Sequence, residues 1–151
     1  MKYLLDVNLL IAAIWSTHAN HPKADIWTKD KELATCPITE LGFLRISTHP
    51  RGLNCEMAGA RALLEDFISK HSVEFIPADL PALKSGAANS DQVTDIYLAE
   101  LASARSIKLA TLDTGIRHSA VEAIFAFSKR ILVSHKHLIQ RQLVVRKKQP
   151  F

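Results

Sequence analysis

The chain has 151 residues, 48% of them apolar, which fits one domain with a full core and leaves little room for intrinsic disorder. The formal net charge is +4, and no acidic residue follows Glu122, whereas Lys129, Arg130, Lys136, Arg141, Arg146, Lys147 and Lys148 all do. That asymmetry suits a polyanionic partner, nucleic acid first, or simply a solvated tail. Two cysteines, Cys36 and Cys55, make no disulfide framework, so a reducing compartment and buried thiols are expected. Asp6 and Asn8 interrupt the first apolar residues too early for a signal peptide, and no uncharged run approaches the ~18 residues of a membrane span. The expectation is a cytoplasmic protein without a membrane partner.

Strand-length apolar runs occur at Tyr3–Leu5, Leu33–Cys36, Val73–Ile76, Ile107–Thr111 and Ile131–Val133. Helical patterns lie between them. Asn8 is expected to cap a helix through Ile14, and Asn20 or His21 to open a second with Pro22 in its first turn and Trp27 inside. Thr39 is expected to cap a helix to about Ile46, ended by the HPRG turn. Residues 56–70 place Met57, Ala60, Leu63, Leu64, Phe67 and Ile68 at helical spacing. A short helix at 81–88 and a polar loop at 88–92 precede a helix at 93–105, with Val93, Ile96, Tyr97, Leu101 and Ala104 inward. A last helix is expected at 119–127. Strands alternating with helices predict an α/β fold with a mostly parallel sheet of about five strands and helices on both faces.

Four acids fall at telling positions. Asp6 and Asp113 each follow a strand directly, whereas Glu40 and Asp95 sit in the first turns of helices. In an open α/β sheet the carboxyl ends of the strands form the ligand edge, so the four can converge there. Singly, each has a structural explanation as a cap or a helix-dipole partner. Together they repel: two carboxylates ~4 Å apart cost roughly 4 kcal/mol at an effective dielectric of 20. A divalent cation removes that penalty, and all-oxygen ligands suit Mg²⁺ or Mn²⁺. Phosphodiester hydrolysis is the natural chemistry of such a centre. There is no G-x-S-x-G, P-loop or G-x-G-x-x-G motif to compete, and His135 and His137 lack thiols at zinc spacing.

Four segments taken in order, LLDVNLLIAA (4–13), ATCPITELGFLR (34–45), QVTDIYLAELA (92–102) and KLATLDTGIR (108–117), resemble the PIN-domain family, and within it the VapC-like toxins. The resemblance implies an α/β/α sandwich and an endoribonuclease. Asp6, Glu40, Asp95 and Asp113 would be its acidic, metal-binding quartet, with Asn8 and Thr39 supporting them. It also implies a homodimer, a cognate antitoxin lying across the active groove, and structured RNA such as transfer or ribosomal RNA as substrate. A nuclease domain over 1–134 and a basic extension over 135–151 are expected. Arg45 and Arg117 are candidates to grip RNA phosphate, although Arg45 can equally serve in an ion pair. Asp91 reads as a loop or capping residue, Lys84 as a neighbour of the groove, and Trp15 as either core or partner surface. Ser47 and Thr111 can bond the site or their own backbone. A housekeeping nuclease without an antitoxin, or a catalytically silent RNA- or protein-binding module, are the alternatives.

Overall fold

A computed structural model describes residues 1–125. Strand β1 (Lys2–Leu5) leads into helices α1 (Val7–Ile14) and α2 (His21–Thr28). Strand β2 (Glu32–Thr35), helix α3 (Pro37–Thr48), helix α4 (Met57–His71) and strand β3 (Glu74–Phe75) follow. Two 3-10 turns, Ala82–Lys84 and Ser90–Gln92, precede helix α5 (Val93–Ala104), strand β4 (Lys108–Thr111) and strand β5 (Val121–Ala123). The five strands form one sheet in the order β3-β2-β1-β4-β5, and all pairings are parallel. This is the α/β architecture expected from the sequence.

Side chains alternate across the sheet with the period of two that a strand imposes. Tyr3 and Leu5 of β1, Leu33 of β2 and Ala110 of β4 face a core shared with Leu9, Leu10, Phe43, Leu64 and Phe67 from α1, α3 and α4. Leu4, Ala34 and Leu109 face the opposite core, built with Tyr97, Leu98, Leu101 and Ala102 of α5. Each fully buried leucine in these layers contributes roughly 1.5–3 kcal/mol.

Helix α3 packs close to α1 at Gly42, where an added Cβ would lie 2.5 Å from Val7 Cγ2. Trp27 packs edge-on against Tyr3 at 5.1 Å between ring centroids. Cys36 is buried and Cys55 half-buried, both as free thiols. Among the described residues no helix is long and apolar enough to cross a membrane.

Several boundaries depart from the sequence reading. The cap of α1 is Asp6, not Asn8, because the Asp6 carboxylate accepts from Val7 N at 2.7 Å. Cys36, not Thr39, caps α3; the Thr39 hydroxyl closes a reciprocal box with the Cys36 backbone. Val93 and Ala104 of α5 face solvent, while Leu98 and Ala102 are buried, so the helix is rotated from the expected stripe.

Within the helix expected at 119–127, Val121–Ala123 form strand β5 instead, and 126–127 lie outside the described residues. β4 would otherwise end the sheet with open backbone groups, and these are met by Ala120 and Ile124: Leu109 N donates to Ala120 O at 2.8 Å, and Ile124 N to Thr111 O at 2.7 Å. That tertiary demand outweighs a weak local helical spacing. The strand expected at 131–133, the 134/135 domain boundary, the basic extension, His135 and His137 lie outside the described residues.

Candidate active site

The strand order reverses direction about β1: the chain builds outward to β2 and β3, then returns to place β4 on the other side. The crevice at such a switch point lies beyond the carboxyl ends of the two inner strands. Here these ends are Leu5 and Thr111, so Asp6 and Asp113 flank the crevice. The Asp6 backbone remains in the ladder, with its N–H donating to Ala110 O at 2.9 Å.

The Asp6 side chain is only 6% exposed. Its Oδ1 accepts from Val7 N, and its Oδ2 accepts from the Thr111 hydroxyl at 2.6 Å. Thr111 is fully buried, and its oxygen in turn accepts from Asn8 Nδ2 at 3.0 Å and from Asp113 N at 3.0 Å. A hydroxyl has one proton to give, and the short Asp6 contact takes it in preference to Asn8 Oδ1 at 3.3 Å. Asn8 Oδ1 accepts from Leu112 N at 3.0 Å, which ties the start of α1 to the end of β4. Asp113 is exposed, and its Oδ1 is steadied by Gly115 N at 2.6 Å. Asp95 stands half-buried in the first turn of α5.

The three aspartates share one electrostatic environment. Burial raises the Asp6 carboxyl above its usual range; the bonds from Thr111 and Val7 oppose this, and the charges of Asp95 and Asp113 add to it. Burial also raises Asp95, and the Asp113 charge raises it further. Asp95 and Asp113 line one cleft of about 270 Å³, together with Asp91 and Arg117.

Glu40 occupies the first turn of α3, where its Oε1 accepts from the Thr35 hydroxyl at 2.8 Å. It is not among the charges that raise Asp6 or Asp95. Among the described residues no three His, Cys, Asp or Glu side chains are gathered closely enough to close on one ion. The aspartates are thus near enough to feel one another without forming a finished ligand cage.

The remaining residues divide clearly. Asn8 joins the network directly. Among the described residues the Thr39 hydroxyl bonds only the Cys36 backbone, which sets the start of α3 from which Glu40 projects. Arg117 lines the cleft, whereas Arg45 lies in the last turn of α3, exposed and without an ion pair among the described residues. Lys84 is exposed and outside the cleft lining. Trp15 packs on the core and donates Nε1–H to Ser47 Oγ at 2.9 Å, a bond that involves none of the four acids. Thr111 is the residue that sequence reasoning undervalued. The available signal was a hydroxyl at the last position of a buried strand, two residues before Asp113.

No family model matches the chain. Curated relatives do. Ribonuclease VapC38 of Mycobacterium tuberculosis (strain ATCC 25618 / H37Rv) is 36% identical over 121 residues, covering 75% of this chain and 86% of that protein. Ribonuclease VapC39 of the same organism is 34% identical over 131 residues, covering 80% and 94%. Ribonuclease VapC29 is 35% identical over 123 residues, covering 78% and 90%. Among solved structures, the crystal structure of VapBC2 from Rickettsia felis bound to a DNA fragment from their promoter matches with a TM-score of 0.56. It covers 81% of this chain and 98% of that one, at 17% identity, and so supports the fold alone. On the sequence identity to these relatives, spread over most of both chains, this protein belongs to the VapC ribonuclease family.

Proposed function

We infer that this protein is a metal-dependent endoribonuclease, the toxin of a toxin–antitoxin pair, which hydrolyses phosphodiester bonds in structured RNA such as transfer or ribosomal RNA. The observation that carries this reading is the placement of Asp6, Asp95 and Asp113 together at the switch point of the sheet, with Asp95 and Asp113 lining one cleft and their charges reaching Asp6. The ribonuclease names of the relatives support the activity. The VapBC2 likeness motivates a cognate antitoxin as partner. A homodimer is part of the same reading.

The donor set fits a hard divalent cation, since every candidate ligand is a carboxylate oxygen. Asp6, Asp95 and Asp113 would hold Mg²⁺ or Mn²⁺, with Glu40 as the fourth acid on the same edge. When bound, the ion supplies Lewis acidity at the phosphate and activation of water. The chain itself does the positioning. Thr111 and Val7 N fix both oxygens of Asp6, Gly115 N fixes Asp113, and Asn8 locks α1 to β4 so that these parts keep their relative places. Arg117 brings positive charge to a cleft whose other charged lining residues are carboxylates, where it can receive an RNA phosphate.

Brief induction in cells, followed by sequencing of RNA 5′ ends, tests the reading. Wild-type protein should arrest growth and yield discrete new ends. Asp6→Asn should do neither while remaining folded. Equal growth inhibition by both proteins would remove the basis for the proposal.

A further inference from the structure

The cleft that Asp95 and Asp113 line has further features that metal binding leaves unused. Ile96 and Ile116 are among its lining residues, as are Asp91 and Gln92 from the 3-10 turn that precedes α5, and Arg117. Its volume of about 270 Å³ lies just below the ~300–1,000 Å³ of small-molecule pockets, which leaves room for one flat base. Single-stranded RNA is read by splaying a base out of its stack and bonding its edge.

We propose that this cleft is a base-reading subsite that takes a guanine adjacent to the scissile phosphate, with Asp91 and Gln92 reading its edge and Arg117 holding a neighbouring phosphate. The proposal rests on the ribonuclease reading and adds the specificity of that same site.

The choice of guanine follows from the donors and acceptors. An ionised carboxylate only accepts. Guanine alone presents two adjacent N–H donors on its Watson–Crick edge, at N1 and N2, beside the O6 acceptor. Asp91 can accept both donors, and the Gln92 amide can donate to O6. Both side chains have capacity to spare. The side-chain contact of Asp91 is a long one, from Ser90 Oγ at 3.4 Å, and the hydrogen bond of Gln92 to Asn89 uses its backbone N–H. Ile96 and Ile116 give the ring apolar surface. Arg117 is in no ion pair among the described residues, so its guanidinium is available to phosphate.

The test uses the full chain with Mn²⁺ and a pool of stem-loop RNAs with randomised loops, sequenced at early times. Guanine should be enriched about ten-fold or more at one fixed position beside the cut. Inosine there, which lacks the N2 amine, should slow cleavage by a similar factor. Asp91→Asn and Gln92→Ala should erase most of the enrichment, and Arg117→Ala should slow cleavage at all sites alike. Cleavage by wild type without guanine preference, or a preference that survives Asp91→Asn and Gln92→Ala, overturns the subsite and leaves the ribonuclease reading standing. An Asp91→Asn protein that melts normally but cuts nothing puts Asp91 among the metal-binding acids and also overturns it. Wild type that cuts no RNA with either metal takes down both readings.

Discussion

The Thr111 hydroxyl donates to Asp6 Oδ2 at 2.6 Å, across the seam where β4 lies beside β1. Residues more than a hundred positions apart are thus joined by one proton. Replacing Thr111 with Val keeps the shape and removes the donor. The buried Asp6 oxygen is left short of a partner, which costs about 1–3 kcal/mol. Thr111→Ser keeps the hydroxyl and loses one methyl, about 0.8 kcal/mol. Urea unfolding should therefore rank wild type above Ser and Ser above Val. The reverse order for the two variants would mean that Thr111 acts by packing alone.

Asp6 sets a pH dependence whose sign can be worked out. Its folded carboxyl titrates above the ordinary 3.8, chiefly because of burial. Between 3.8 and that raised value the native state binds more protons than the unfolded chain, so metal-free stability falls as pH rises through this window. The penalty is absent below 3.8 and complete above the raised value. Asp95 acts in the same direction. Asp6→Asn removes the Asp6 share. The variant should match or exceed the metal-free wild type in melting temperature near pH ~7, and lose that relative gain near pH ~3. Melting curves across pH, with a chelator present, make the check.

Cation binding should reverse the same penalty. At neutral pH, Mn²⁺ or Mg²⁺ at a hundred times its dissociation constant should stabilise the wild type by about 2.7 kcal/mol. The gain should shrink in acid, where protons compete for the carboxylates, and should be lost in Asp6→Asn and Asp113→Asn. Thermal shift against metal concentration measures this without reference to activity.

Gly42 is a structural test of how the site is held. A methyl added there meets Val7 Cγ2 at 2.5 Å and Cγ1 at 3.1 Å, and valine has no flexible end to swing aside. Gly42→Ala should destabilise by about 1–3 kcal/mol despite the better helix propensity of alanine. The displaced residue lies between Asp6 and Asn8, so cleavage should fall as well. Val7→Ala combined with Gly42→Ala should recover part of the loss, which a double-mutant cycle reads directly.

The inner strands β1, β2 and β4 were legible because they are largely buried and therefore stand out as short apolar runs. Asp6 and Asp113 were legible because each ends such a run with a charge. Asn8 and Thr39 look like caps in sequence, yet the neighbouring Asp6 and Cys36 take those positions. Which polar residue caps depends on backbone geometry that neighbours in sequence share almost equally. β5 was hidden because Val121–Ala123 is too short for alternation to register, and its pairing answers to the open edge of β4. Thr111 was hidden because its partners come from β1 and α1, and only the folded register brings them within hydrogen-bonding reach. Gln92 and Ile116 gain meaning only from the cleft they line.

If Asp6, Asp95 and Asp113 act together through a hard cation, removing the cation or any one carboxylate stops RNA cleavage. The most direct measurement is cleavage of a stem-loop RNA by purified full-length protein, with Mg²⁺ or Mn²⁺ and with chelator, beside Asp6→Asn and Asp113→Asn. Cleavage should depend on the metal and fall by roughly a hundred-fold or more in each variant, since every ~1.4 kcal/mol lost at the transition state is a factor of ten. Cleavage that persists undiminished in chelator, or in either folded variant, would contradict that joint action.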